Sequence, residues 1–585
     1  MLRYHFFLIF LVLILSQSIL SAQATAIIDP SLLTTFQNKE QAEYIILMKD
    51  RTVFEKALPF KTKSEKAKFV YQALTKKAIE SQKNIIDILK DSGLPYRSFY
   101  VTNAIKVASD YKTMISFAQR TDVSHIIDDS PIRMLDYTVD KTNLELRNAE
   151  PEWGLKYIKA DSVWQLGIRG QGVVIAGQDT GYEWEVSPLK TKYKGYIDST
   201  NTIHDYHWHD AIVKNSPVFP DTILNPCGYG TKQPCDDNNH GTHTMGTMVG
   251  EDSVNVIGVA PEARWIACRN MDRGWGQPST YMDCFEWFLA PYDLNGENAD
   301  PDQAPHVINN SWFCSEEEGC NASNFKLMED IVKNLKASGV VVVVSAGNTG
   351  NQGCGSVTGP PAFFEASFSV GATDIDGNIA GFSSLGPIVI DSSFRLKPNA
   401  AAPGVNVRSV IRGGRFAAFS GTSMAGPHIA GLVALIISAN PSLAGNVDAI
   451  EDILEGTGLP SPSLTDCGGF VGSEIPNAVF GYGIGNALEA VKRAQAFNSS
   501  VQDQYKTSLS VYPNPSEELV TFMVNQGDQY IEEVNIYSLN GELVQKQYFG
   551  NHLLVTMPIL SLPKGVYIYK VRTGAQWTAG KIVKM

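Results

Sequence analysis

The chain has 585 residues, more than one ordinary domain holds, and 44% of them are hydrophobic, enough to build several packed cores. Its formal net charge of −13 repels phosphate backbones and anionic lipid surfaces, which excludes nucleic acid and the membrane surface as partners.

Taken in order, Arg3, the apolar run 6–15 and Ala22-Gln23-Ala24 are the three parts of a secretory signal peptide covering residues 1–24. That run is too short to cross a bilayer, and no later run is long enough, so no membrane-spanning segment is expected. Residues 40–135 read as strand (44–48), long charged helix (64–89), strand (96–107), helix (111–120) and strand (125–127). This order suits a small ferredoxin-like α+β unit with two helices on one face of an antiparallel sheet. Residues 136–148 turn polar and lose periodicity, which marks a boundary.

Residues 149–495 alternate strands (173–178, 264–268, 307–311, 340–345, 367–372) with helices (240–249, 280–289, 325–337, 423–437). The valine run 340–344 is the signature of a strand buried on both faces. The fold class is therefore α/β, a parallel sheet with helices on both faces and function at the carboxyl ends of its strands. Residues 496–507 form a polar linker. The remainder, 508–585, alternates in short runs with a hairpin signal at Asn540-Gly541, and reads as a small β-sandwich. The eight cysteines all fall in the α/β region; their even number fits an exported, disulfide-bonded chain. Cys227–Cys235 and Cys314–Cys320 are the expected local loops, with the other pairings open.

Three motifs carry chemistry. Gly421-Thr422-Ser423-Met424-Ala425-Gly426-Pro427-His428 opens an all-apolar helix on a serine, where free N–H groups and the helix dipole favour a developing oxyanion. The bland alternative is an N-capping hydroxyl. Asp179-Thr180-Gly181 ends a buried strand, and His240-Gly241-Thr242-His243 opens a helix on a histidine. Together they supply an acid, a base and a nucleophile in the chain order Asp, His, Ser. The triplet Asp-Thr-Gly is shared with aspartic proteases, but no second copy follows to form their carboxylate pair. His204, His207 and His209 read as surface histidines, and no metal site is expected.

With Ser345-Ala346-Gly347-Asn348, Phe382-Ser383-Ser384-Leu385-Gly386-Pro387 and Ala402-Pro403-Gly404-Val405, these motifs resemble the subtilisin-like serine proteases. Trp265-Ile266-Ala267 and Val307-Ile308-Asn309-Asn310-Ser311-Trp312 bring the chain nearest the bacillopeptidase F branch. The resemblance covers about 149–494 and implies a secreted endopeptidase acting on protein or peptide substrates. In it Asp179, His240 and Ser423 are catalytic, and the Asn348 amide serves the oxyanion. Gly274, Trp275, Gly276, Ser311, Trp312 and Phe313 line the substrate cleft, Phe313 standing where the family usually has glycine. No cofactor is required, though the family often binds structural calcium through loop oxygens. His243 is structural on this reading.

Residues 40–135 then resemble the family's inhibitory pro-segment, with a self-processing cut within 136–148. Val511-Tyr512-Pro513-Asn514-Pro515, Ile536-Tyr537-Ser538-Leu539-Asn540-Gly541, Leu562-Pro563-Lys564-Gly565-Val566-Tyr567 and the terminal Gly580-Lys581-Ile582-Val583-Lys584 resemble the C-terminal sorting domain of type IX secretion. That makes the secretion machinery a partner and the cell exterior or surface the destination; the mature protein is expected to be a monomer. The rival expectation is a surface binding or adhesion protein on an inactive scaffold of the same fold.

Overall fold

A computed structural model describes residues 26–55, 58, 60–134, 137–140, 150–312, 322–497, 509–524, 530–538, 543–573 and 576–585. The expected signal peptide, Phe313, the expected Cys314–Cys320 loop and most of both expected linkers lie outside them. The chain forms two bodies, residues 1–496 and 497–585.

The first body is built on seven parallel strands in the order Trp208–Asp210, Arg264–Arg269, Val174–Asp179, Val307–Asn310, Val341–Ser345, Phe368–Thr373 and Ala400–Pro403. Alternation along each strand sends Ala176, Ile266, Ile308, Val342 and Val344 into one core with the helices Pro278–Leu289 and Ala322–Ala337. Val343 points the other way, toward the helix Thr422–Ala439 where Gly426 lets the two approach. That helix is the one described segment long and apolar enough to cross a membrane, and it is buried as the core of the body. Its all-round apolar surface belongs to a helix enclosed by protein.

Disulfides join Cys227 to Cys235, Cys268 to Cys284 and Cys354 to Cys467. The second of these ties the strand Arg264–Arg269 to the helix Pro278–Leu289. The two edge strands escaped the sequence reading for a physical reason. One is three residues with a histidine and an aspartate, the other is small residues, and neither makes an apolar run.

Residues 26–134 build a five-stranded sheet in the order Ile27–Ile28, Val123–Asp128, Gln41–Met48, Ala104–Asp110 and Tyr96–Phe99. Two details depart from expectation. The single strand read at 96–107 is a hairpin, turned at residues 100–103 where Asn103 adopts a left-handed φ of 56° and its amide is held by the Asp50 carbonyl (2.6 Å) and Ser81 Oγ (2.8 Å). The sheet is also mixed, because Ile27–Ile28 pairs parallel with Val123–Asp128, and an extra helix, Pro30–Asn38, follows it.

One face of this sheet (Tyr44, Ile46, Ile105, Val107, Ile126) is closed by Ile85, Leu89, Met114 and Phe117 of its own helices. The opposite face (Ile45, Leu47, Ala104, Ile127) joins the core of the α/β region. Carboxylates cap across this junction in both directions. Asp129 accepts from Ser279 N (2.8 Å) and Oγ (2.7 Å) at the start of the helix Pro278–Leu289. Glu286, buried on that helix, accepts from Tyr100 N (2.5 Å) and Val101 N (2.9 Å) in the hairpin turn. Burial pushes the Glu286 carboxyl up to about 8.

The second body is a β-sandwich. Strands Leu509–Tyr512, Leu519–Val524 and Leu554–Pro558 form one sheet; Leu543–His552, Ile531–Tyr537, Gly565–Thr573 and Gln576–Lys584 form the other. Val520, Phe522, Val534, Ile536, Val555, Met557, Val571 and Ile582 fill the space between them.

Candidate active site

Asp179 is the last residue of the inner strand Val174–Asp179, so its side chain emerges at the carboxyl edge of the sheet. His240 is the first residue of the helix His240–Val249. Its Nδ1 lies 2.8 Å from Asp179 Oδ1 and 2.9 Å from Oδ2, with both side chains excluded from water. A carboxylate only accepts, so Nδ1 carries a proton, and in the neutral imidazole Nε2 is the acceptor. Among the described residues Nε2 has no partner.

The close approach of helix to strand depends on Gly241, because a Cβ there would lie 2.1 Å from the Gly181 carbonyl oxygen. Asp236, which the sequence reading missed, fixes the geometry from behind. Its Oδ1 accepts from Thr180 Oγ1 (2.9 Å), Asn238 N (2.9 Å) and Asn239 N (3.1 Å). Its Oδ2 takes Thr242 N (3.0 Å) and Oγ1 (2.5 Å). One buried carboxylate thereby links the residue after Asp179 to the first turn of the histidine's helix. The signal was its position four residues before His240 and the paired threonines of the two motifs.

Ser423 is the second residue of the helix Thr422–Ala439, where N–H groups have no carbonyl one turn earlier to bond. Pro427, four residues on, has no N–H and releases the Ser423 carbonyl from the helical ladder. Ser311 Oγ takes up that carbonyl (2.8 Å), and Ser423 Oγ donates in return to the Ser311 carbonyl (3.0 Å). The Ser423 hydroxyl is therefore turned to the Ser311 strand end instead of to His240, a difference from the simplest expectation; catalytic hydrogen bonds often form only with substrate in place.

Asn348 follows the strand Val341–Ser345. Its Oδ1 accepts from Thr422 N (2.9 Å) and Thr422 Oγ1 (2.8 Å), which leaves the amide N–H₂ toward Gly421. Asn348→Asp keeps the anchored oxygen and loses the donor. If this amide serves an oxyanion, kcat falls by about 10² to 10³-fold with KM nearly unchanged and thermal stability preserved, as steady-state kinetics and melting curves would read. A fall of less than threefold in kcat would remove Asn348 from that role.

His204, His207, His209 and His243 are spoken for. His243 Nε2 bonds the Val407 carbonyl (2.9 Å) and the Ala417 carbonyl (3.2 Å), its ring stacks 4.2 Å from Phe419, and burial lowers its pKa to about 3. His204 meets Tyr193 Oη, His207 the Ile203 carbonyl and His209 Asp283, so the three do not converge. Among the described residues no group of three metal-binding side chains comes together.

The chain itself pairs with the Gly274–Gly276 edge that the sequence marks as substrate-binding. Ile132–Arg133 pairs antiparallel with Trp275–Gly276, and Met134 N donates to the Gly274 carbonyl (2.7 Å). Beyond residues 135–136 the chain continues as Thr138–Asp140, antiparallel to residues 418–420. Trp312 stacks on Tyr281 at 4.0 Å, in the same core as Ile132 and Met134. Gly274, Trp275, Gly276, Ser311 and Trp312 thus all border this segment or Ser423.

Residues 170–483 match the profile of the subtilase family. The chain belongs to the subtilase family. This subtilase is 34% identical over 495 residues to bacillopeptidase F of Bacillus subtilis, a match spanning 79% of the chain but only 32% of that relative. It is 29% identical over 399 residues to subtilisin E of the same organism (68% of the chain, 86% of the relative). It is also 31% identical over 307 residues to subtilisin of Bacillus pumilus (52% and 90%). By family it is a serine protease of the endopeptidase type. Residues 510–585 match the profile of a secretion system C-terminal sorting domain, so this subtilase carries the sorting signal of type IX secretion.

Proposed function

We propose that the protein is a secreted, self-processing zymogen of a peptide-bond hydrolase, with Ser423 as nucleophile, His240 as general base and then general acid, and Asp179 as its orienting carboxylate. The observation that supports this best is the buried Asp179–His240 pair, which leaves His240 Nε2 an acceptor without a partner among the described residues. Attack on a carbonyl lying between the Gly274–Gly276 edge and the Ser311 edge would place the new oxyanion by Ser423 N and the Asn348 amide. A fluorophosphonate probe tests the assignment: the processed protein should be labelled at Ser423, and Ser423→Ala should not. An unlabelled, processed wild type would favour the rival binding-protein reading.

The module 40–135 acts in this scheme as the inhibitory pro-segment. Its outgoing strand runs along the Gly274–Gly276 edge, and the ladders at 132–134 and 138–140 flank residues 135–137, which supports a cut there. That stretch meets the start of the range 136–148 expected from sequence.

The sandwich 508–585 serves delivery. Deleting residues 511–585 should leave protease activity in cell extracts while the protein fails to appear in the medium or on the surface; normal export of the deletion would refute the sorting role.

A further inference from the structure

Past the site of the cut, the chain does more than form a ladder. The ring of Tyr137 lies 4.7 Å from Phe419 and 4.9 Å from His240, and its hydroxyl donates to Asn238 Oδ1 at 3.0 Å. The floor of this slot is rigid, because Phe419 is itself stacked on His243 with the rings 8° from parallel. His243 is held in turn by two backbone carbonyls and kept neutral by burial. An aromatic face therefore meets the ring and an amide oxygen meets the hydroxyl. Neither is needed to hold a backbone in the cleft.

We propose that the leaving-group side of the cleft is a subsite for tyrosine, in which Phe419 binds the ring, Asn238 reads the hydroxyl, and His243 positions Phe419. The inference rests on the endopeptidase reading above. It names a substrate class: peptides with tyrosine within three residues after the scissile bond. The chain's own residues 132–140 are the first such peptide. A ring in this slot packs against the buried His240 imidazole and helps keep water from it as it passes its proton to the leaving amine.

The test uses the full-length protein after it has processed itself, with three internally quenched peptides of the sequence 132–140 carrying Tyr, Phe or Ala at position 137. One net hydrogen bond corresponds to about fivefold in kcat/KM. Tyrosine should therefore be cleaved about fivefold faster than phenylalanine, and phenylalanine at least about tenfold faster than alanine, since ring burial is the larger contribution. Asn238→Ala should equalise Tyr and Phe while leaving Phe over Ala, and Asn238→Asp, which keeps an acceptor, should restore the preference for Tyr. Phe419→Ala should instead reduce the Phe over Ala ratio. Equal cleavage of all three peptides by wild type overturns the subsite and leaves the endopeptidase reading standing, as does a Tyr over Phe ratio that survives in Asn238→Ala. Failure to cleave any of the peptides or casein overturns both.

Discussion

Ser423→Ala, expressed alone, should accumulate as an uncut precursor with residues 40–135 still covalently attached. On the proposed assignment the first cut is intramolecular. Ile132–Arg133 and Thr138–Asp140 are clamped to opposite lips of the cleft, so the bond between them is presented without diffusion. Tethering of this kind is equivalent to about 10⁵ to 10⁸ M of substrate. It cannot replace the nucleophile, however, because nothing else described at the site offers an oxygen to the carbonyl with a base behind it. In subtilisin, loss of the serine alone lowers kcat by about 10⁶. A processing step of one second would then take on the order of ten days. Folding should survive, since the Ser423 hydroxyl makes one hydrogen bond, to the Ser311 carbonyl, worth about 1 kcal/mol. Gel electrophoresis of purified protein over days, with a melting curve alongside, reads both parts. Maturation of the pure variant at the wild-type site would refute the nucleophile and self-processing together.

Much of this site was legible because its chemistry is written in short contiguous motifs. Asp179-Thr180-Gly181 had to end a strand and His240-Gly241-Thr242 had to open a helix, and both do. The five-valine run gave the strand Val341–Ser345, and the apolar run after Ser423 gave the buried helix. What sequence did not reveal is what depends on contacts between distant segments. Asp236 looks like one more loop acid until its five hydrogen bonds are seen to join two motifs. The residue range 96–107 looks like one strand because Tyr100, Val101 and Thr102 are good strand formers; only the partnership of the Tyr100 and Val101 N–H groups with Glu286 shows why the chain turns there. Tyr137 is equally silent in sequence, since its neighbours Phe419 and Asn238 lie far away along the chain.

Asp179→Asn should reduce turnover by about 10⁴ without unfolding the protein, the scale on which a triad fails when its imidazole is held in the wrong tautomer. Asp179 Oδ1 accepts Thr180 N–H at 2.7 Å, an interaction that an amide can keep only by placing its oxygen there. The amide nitrogen then takes the place of Oδ2, 2.9 Å from His240 Nδ1. Its N–H only donates, and Oδ1, 2.8 Å from Nδ1, is already shared with Thr180 N–H, so the amide N–H turns Nδ1 into an acceptor and the ring proton moves to Nε2. The nitrogen that should receive the Ser423 proton is thereby filled. Shape and volume are unchanged, and the wider frame around Asp236 does not involve Oδ2, so the melting temperature should stay within a few degrees. Because the variant would process itself slowly, it is best matured by a trace of wild-type protein that is then inactivated with a fluorophosphonate. Steady-state kinetics on a peptide substrate should show the loss mainly in kcat. Nitrogen NMR of labelled histidine should place the His240 proton on Nε2 in the variant and on Nδ1 in the wild type. A variant that retained a tenth of wild-type kcat, or kept its proton on Nδ1, would show that Asp179 does not set the tautomer.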